Sequence, residues 1–286
     1  MKNNDVVEII ESKYKTFSKG HKLIADYIFE NSDKVAYMTA NKLADAVGVS
    51  DSTVVRFAVE IGFEGYPEFL KRLREVVSSK LTSVQRMEIT SLNFEKGDVL
   101  DRVINADIDK LKKTLLNIKR DDFNKAIETI INAKTIYILG VRSSASLASF
   151  LGFNFNLMFN NVKHVHANSV SEMFEQILNV DENDVVIGIS FPRYSRRTVK
   201  ALKYAKSCNA KIIAITDSYN SPLTDCADYS LIAQSDMVSF ADSLVAPLSL
   251  INAIIVAIAM TKTEEIGDTF RKLENIWDEY EVYDKW

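Results

Sequence analysis

Three arginines and three aliphatic hydroxyls fall within nine positions of this chain, in the run Ser190-Phe191-Pro192-Arg193-Tyr194-Ser195-Arg196-Arg197-Thr198. Guanidinium groups bind phosphate and carboxylate through paired N–H donors, and hydroxyls add bonds to the same oxygens. The run reads as an anion-binding loop with Ser190, Arg193, Ser195 and Thr198 as contact residues. A second run, Gly140-Val141-Arg142-Ser143-Ser144, offers similar chemistry. Hydroxyls and backbone N–H groups at a helix start attract an anion, and Arg142 adds charge beside Ser143 and Ser144. A third, Thr216-Asp217-Ser218, would complete a sugar pocket. The plainer alternative is that Ser143 and Ser195 only cap helices while the arginines are solvated. The coincidence of two such loops favours a ligand.

A different signal lies between Lys42 and Ala58. A helix-turn-helix needs a small residue within its first helix, where the second packs closely, and a turn residue that accepts positive φ. Ala44 and Gly48 meet those needs four positions apart. Leu43, Val47, Val49, Val54 and Phe57 then fall on the inward face. Ser50 is placed to cap the second helix, with Asp51 at its positive end. Ser50, Ser52, Thr53 and Arg56, with Val55 and Val59, are left facing a major groove. Lys42, Lys71, Arg72 and Arg74 would flank that contact and neutralise phosphates. A three-helix packing motif without DNA is the plainer alternative, but all the offsets agree together.

The elements that must position these residues follow from hydrophobic period. Residues 5 to 76 read as short helices, with Ser18 and Thr39 as caps and Gly62 to Pro67 as a stop. After Asp107 the pattern changes. Helices at about 107–118 and 121–133 lead to short apolar runs at 135–139, 162–165, 185–189, 211–215 and 229–232. Such runs alternating with helices imply a doubly wound parallel sheet, and ligands in such sheets sit at the carboxyl ends of strands. Both arginine loops follow a strand. The chain is thus expected to be α + α/β: an all-α domain over 1–80, a connection over 81–106 that is partly helical towards its end, and an α/β domain over 107–286.

Bulk composition agrees. At 286 residues, 47% hydrophobic and 26% charged, the chain is ordinary for a folded protein of two domains. Cys208 and Cys226 are too few for a disulfide framework and lack zinc-site spacing, which points to a reducing compartment. No metal or cofactor is called for. The net charge of −4 argues only weakly against DNA, which responds to a local basic patch. Residues 243–261 carry no charge, yet Pro247, Ser249 and Asn252 interrupt them; a buried core or interface helix is expected rather than a membrane span. With no export signal in the first residues, a cytoplasmic location is expected.

Leu43-Ala44-Asp45-Ala46-Val47-Gly48-Val49-Ser50, Thr53-Val54-Val55-Arg56-Phe57 and Ile61-Gly62-Phe63 resemble the DNA-binding signature of the RpiR/MurR family of bacterial regulators. In that family a helix-turn-helix is joined to a sugar isomerase (SIS) domain, and the resemblance spans both domains in order. It implies a phosphosugar bound through Ser143, Ser144, Ser190, Ser195 and Thr198. One departure stands out. The family's Ser-x-Ser-Gly-x-Thr loop keeps only Ser190; Pro192, Arg193 and Ser195 replace Ser, Gly and Thr. A glycine-poor loop is expected not to wrap its backbone round phosphate, so that arginines substitute or the effector is a different anion.

SIS folds also serve isomerases, which makes a phosphosugar isomerase the alternative function. Its general base would be Glu172 or one of His164 and His166. The two histidines share a strand face at i and i+2 without a third partner, and Glu172 reads equally as a helix-start carboxylate. The expected protein is a DNA-binding regulator, a homodimer or tetramer on operator DNA, controlled by a phosphorylated sugar. The apolar helix near Leu244–Met260 is the expected interface or its support.

Overall fold

A computed structural model describes residues 6–78, 81–93, 99–166, 169–236 and 241–284. The domain boundary expected at Lys80, and the Gly97 and Asp98 of the expected connection, lie outside the described residues. The chain divides into two compact units between Gly97 and Asp98.

The first unit is helical: α1 (Val6–Lys13), α2 (Lys19–Val35), α3 (Ala40–Val47), α4 (Asp51–Glu60), α5 (Tyr66–Ser78) and α6 (Ser83–Asn93). Three starts are fixed by hydroxyl caps: Ser18 accepts the His21 N–H, Thr39 that of Lys42, and Ser50 that of Thr53. Each cap contributes about 1 kcal/mol. Gly48 ends α3 at φ 76°, a left-handed conformation in which a β-carbon is strained, and donates to the Ala44 carbonyl. Ile10, Ile24, Ile28, Leu43, Val54, Phe57, Phe69 and Leu73 form the core. Phe57 anchors it edge-on to Phe17 and Phe69, at ring distances of 5.3 and 6.3 Å.

The second unit opens with α7 (Val99–Asn117) and α8 (Arg120–Asn132). The stretch expected as a connection is therefore mostly helix: α6 and the first turns of α7 lie within it. Then come β1 (Ile136–Gly140), α9 (Ser143–Asn156), β2 (Val162–Val165), α10 (Val170–Gln176), β3 (Val185–Ile189), α11 (Arg196–Ser207), β4 (Lys211–Thr216), β5 (Tyr229–Ile232), α12 (Val245–Thr261) and α13 (Thr263–Glu279). The strands form one parallel sheet in the order β2-β1-β3-β4-β5.

Alternation along each strand sorts the side chains between two cores. Ile136, Ile138, Val185, Ile187, Ile189, Ile213 and Ile215 face residues of α8, α9 and α12. Tyr137, Leu139, Val186, Ile212 and Ala214 face residues of α10 and α11. A sheet covered on both faces explains why its strands read as continuous apolar runs. The uncharged segment is α12, which buries Leu250, Ile251, Ile254 and Ile258. Pro247 is tolerated in its first turn, where no intrahelical N–H is needed. Among the described residues no single helix is long and apolar enough to cross a membrane, and α12 and α13 meet at a 98° bend.

Candidate nucleic-acid interface and effector site

In the first unit, α4 presents Ser52, Val55, Arg56 and Val59 to solvent, as the spacing requires. The Arg56 guanidinium is laid back along the helix, with Nε 3.2 Å from the Ser52 carbonyl. Ser50 is committed to the turn: its Oγ accepts the Thr53 N–H at 3.3 Å and lies 2.9 Å from both Ser52 Oγ and Thr53 Oγ1. Thr53 is half-buried, and a β-carbon on Gly20 would sit 3.4 Å from its methyl. Local hydrogen bonds thus link all four expected contact residues; Ser50, Ser52 and Arg56 are exposed and Thr53 is half-buried.

Among the flanking cations, Lys42 and Lys71 are exposed. Arg72 pairs with Glu75 one turn on, at 2.8 Å, which offsets its charge. Arg74 is a correction to the expected phosphate set. Its Nε donates to the Ala36 carbonyl at 2.6 Å and its guanidinium lies 5.5 Å from the Tyr37 ring, so it ties α5 to the end of α2.

Sequence reasoning missed a pair that steadies α4. His21 Nδ1 lies 2.6 Å from Glu60 Oε2, and the imidazole is wedged edge-on against Phe17 and Phe57. Lys13 Nζ donates to the Glu60 carbonyl at 2.7 Å. The end of α4 is therefore held by α1 and α2.

In the second unit, the register sets Gly140 beside Ile189, and Ile189 beside Ile215. The loops after β1 and β3 thus leave the sheet side by side. In the order β2-β1-β3-β4-β5 this is the switch point, where successive connections diverge and a crevice opens at the carboxyl edge. Gly140 lets α9 approach: a β-carbon there would meet the Ser144 carbonyl oxygen at 2.5 Å and Ala148 Cβ at 2.9 Å. Ser144, in the first turn of α9, and Ser190, at the start of the β3 loop, are both buried at 4% exposure.

The β3 loop is internally bonded. Ser190 Oγ accepts the Ser195 N–H at 3.1 Å, and Ser195 Oγ caps α11 through the Thr198 N–H at 3.4 Å. Thr198 is fully buried, and its Oγ1 has no hydrogen-bond partner. Ser195 is thus the cap that the plainer reading foresaw. Ser143 is not; the residue before α9 is Arg142, which makes no side-chain cap bond.

Two arginines take backbone conformations suited to glycine: Arg142 at φ 58° and Arg193 at φ 65°. Each costs about 1–2 kcal/mol relative to an ordinary conformation. Arg193, at the position of the family's glycine, keeps a left-handed turn, so the loop turns without glycine.

Next along the edge, Asp217 follows β4. Its carboxylate accepts from the Tyr194 hydroxyl at 2.9 Å and from Thr216 Oγ1 at 3.2 Å. Burial pushes its carboxyl up to about 6; the Tyr194 bond opposes that rise and the nearby Asp236 adds to it. The chain beyond β5 is clasped to α7: the Gln234 N–H donates to Thr114 Oγ1 at 2.9 Å, and Ser243 Oγ donates to Asp107 Oδ1 at 2.6 Å. Lys110, buried at 4% exposure, pairs with that Asp107 carboxylate at 3.1 Å.

The candidate bases are placed differently. Glu172 completes a capping box with Ser169, accepting its N–H at 3.3 Å, so the carboxylate serves the start of α10. His164 and His166 share a face with rings 3.6 Å apart, and burial, then His166, lower the His164 pKa to about 4. An open depression of about 630 Å³ lies at the opposite, amino edge of the sheet, lined by Lys125, Lys134, Asp184, Lys211 and Tyr229 among others. Its mixed charges and position separate it from the crevice.

Comparison with known proteins places both halves. Residues 4–80 match the helix-turn-helix domain of the rpiR family and residues 129–257 match the SIS domain. An uncharacterized HTH-type transcriptional regulator of Caldanaerobacter subterraneus is 28% identical over 275 residues, covering 95% of each chain. The Escherichia coli HTH-type transcriptional regulator HexR is 23% identical over 277 residues, covering 94% of this chain and 93% of its own. The sugar isomerase domain of an RpiR transcription factor from Sphaerobacter thermophilus superposes with a TM-score of 0.59 at 28% identity, covering 62% of this chain and 99% of that one. The Vibrio vulnificus NanR protein complexed with ManNAc-6P shares the fold over 97% of this chain and 99% of its own, at TM-score 0.59 and 21% identity. The fold and site define a transcriptional regulator that joins a helix-turn-helix to a SIS domain. The chain belongs to the RpiR family.

Proposed function

We propose that the protein binds operator DNA through α4 as a homo-oligomer and is controlled by a phosphorylated sugar seated between the β1 and β3 loops. The observation that carries the reading is the pairing of Gly140 with Ile189, which sets Arg142, Ser143 and Ser144 beside Ser190, Arg193, Ser195 and Thr198 at the switch point. The NanR protein, of the same fold, is complexed with ManNAc-6P. On the DNA side Ser52 and Arg56 read the groove, Ser50 and Thr53 set the turn, and Lys42 and Lys71 neutralise phosphates, with Arg72 in a lesser part.

Oligomerisation is supported by an apolar outer face. Val256 and Met260 of α12 are 55% and 76% exposed, and Phe153 of the neighbouring α9 is 67% exposed. A second copy would cover this stripe, and two recognition helices would then read an inverted repeat. A regulator of this kind acts in the cytoplasm, where the DNA is. Catalysis is disfavoured because Glu172 is spent on a capping box.

The test is a titration of the purified protein on its own upstream DNA at several salt concentrations, beside Arg56→Ala. Binding that falls steeply with salt, is lost in the variant and is released by a phosphosugar is the expected result. Affinity equal to that for random DNA, unchanged in the variant, would overturn it.

A further inference from the structure

Over its 12 residues α11 carries Arg196, Arg197, Lys200, Lys203 and Lys206 and no carboxylate, in a chain whose net charge is −4. Exposed helices ordinarily intersperse the two signs. Spaced at i, i+4 and i+7, Arg196, Lys200 and Lys203 form one row, exposed along its whole length. The opposite face buries Ala201, Leu202 and Ala205 against the sheet. Lys206 pairs with Asp228 at 2.8 Å, whereas the side chains of the row make no ion pair or hydrogen bond among the described residues. The fold itself gains nothing from this arrangement. Neighbours in the row repel one another a helical turn apart, and Arg196 in the first turn opposes the helix dipole.

A line of unpaired cations suits a polyanion whose charges repeat along a line. From Arg196 to Lys203 the row rises about 10 Å, while the phosphates of one DNA strand recur about every 3.4 Å along the duplex. The row therefore meets two or three successive phosphates. It offers no platform for unstacked bases, because Tyr204, the one aromatic residue of α11, is turned to the neighbouring α10: its hydroxyl donates to the Leu178 carbonyl at 3.2 Å and its ring lies edge-on to Phe174. The match is to double-stranded backbone, and the helix-turn-helix already makes DNA a partner of this chain. We propose that α11 is a second DNA-contacting face, carried by the α/β unit, which binds the phosphate backbone through Arg196, Lys200 and Lys203 without reading sequence. The inference rests on the DNA-binding reading above and adds to it a contact that α4 does not supply.

The experiment is a titration of the full chain, without phosphosugar, on its own upstream DNA and on random DNA of equal length over a series of salt concentrations. The variants are Lys200→Gln/Lys203→Gln, the same pair with Arg196→Gln, and the charge-conserving Lys200→Arg/Lys203→Arg. The slope of log affinity against log salt is expected to become shallower by about 0.9 for each cation removed, hence by about 1.8 in the double variant and about 2.7 in the triple. Affinity for both DNAs should fall together, roughly tenfold or more at low salt in the triple variant, leaving the preference for the upstream DNA intact. The arginine pair should keep the wild-type slope. Melting temperatures should stay level or rise, since repulsion along α11 is relieved; a merely structural row would lower them and leave the slope alone. A triple variant with the wild-type slope would overturn the inference, assign the row to an acidic protein surface and leave the regulator standing. A loss confined to the upstream DNA would also overturn it, since backbone contacts do not discriminate sequence. Wild-type protein without salt-dependent binding to either DNA would overturn both readings.

Discussion

The Tyr194 hydroxyl, carried by the loop after β3, lies 2.9 Å from a carboxylate oxygen of Asp217, which follows β4. It is the bond that ties two neighbouring loops of the crevice together, and it ends on a carboxyl whose pKa burial has raised to about 6.

That displacement makes a pH prediction. The folded protein holds the Asp217 proton more tightly than the unfolded chain, whose carboxyl has the ordinary aspartate value of 3.8. The stabilisation is present in full below about pH 4 and is lost as pH rises through 6. The rise from 3.8 to about 6 corresponds to an upper bound of about 3 kcal/mol. Unfolding free energies of the wild type and Asp217→Asn, measured from pH 4 to 7.5, should diverge over this window, the variant gaining relative stability as pH rises. Tyr194→Phe removes a donor to the carboxylate and should move the window upward. Parallel curves for all three proteins would refute the assignment.

The His21–Glu60 contact predicts a defect in DNA binding from outside the recognition surface. His21→Ala removes the 2.6 Å bond and a ring packed on Phe17 and Phe57. The first unit should lose about 1–3 kcal/mol, and operator affinity should fall several-fold with its salt slope unchanged, because no phosphate contact is lost. Glu60→Gln, which keeps an acceptor, should be milder. A changed salt slope would instead place His21 on the DNA.

The outer stripe of α12 predicts the assembly state. Val256→Glu places a charge on the exposed face of α12 that also carries Met260, beside the neighbouring α9 with its exposed Phe153. Its cost to the isolated fold should be within about 0.5 kcal/mol, as for other surface substitutions. In light scattering after gel filtration the particle mass should fall to that of one chain. A variant of unaltered mass would move the interface elsewhere.

What was legible in the sequence was local. Ser18, Thr39 and Ser50 cap helices three residues ahead, and Gly48 closes a turn on Ala44, so each signal fits within one helical turn. The strands were legible because two-sided burial leaves continuous apolar runs, and the crevice because each loop follows such a run. What was hidden depends on packing between distant segments. Nothing near His21 points to Glu60, 39 positions on. Lys110 reads as a solvated residue of an amphipathic helix, yet it is buried against Asp107, whose carboxylate also takes the Ser243 hydroxyl. The arginine at position 193 gave no sign that the backbone there takes positive φ. The conformation there is imposed by β3 and the capped start of α11, which hold an arginine where glycine would rest more easily.

That last feature bears on how such regulators diversify. Every arginine codon is a single base change from a glycine codon. A loop whose path is the same with either residue exchanges them in one mutation and needs no compensating change in length or neighbouring sequence. Position 193 is therefore a place where a lineage can gain or discard a positive charge at the carboxyl edge of the sheet in one genetic step, passing through no misfolded intermediate.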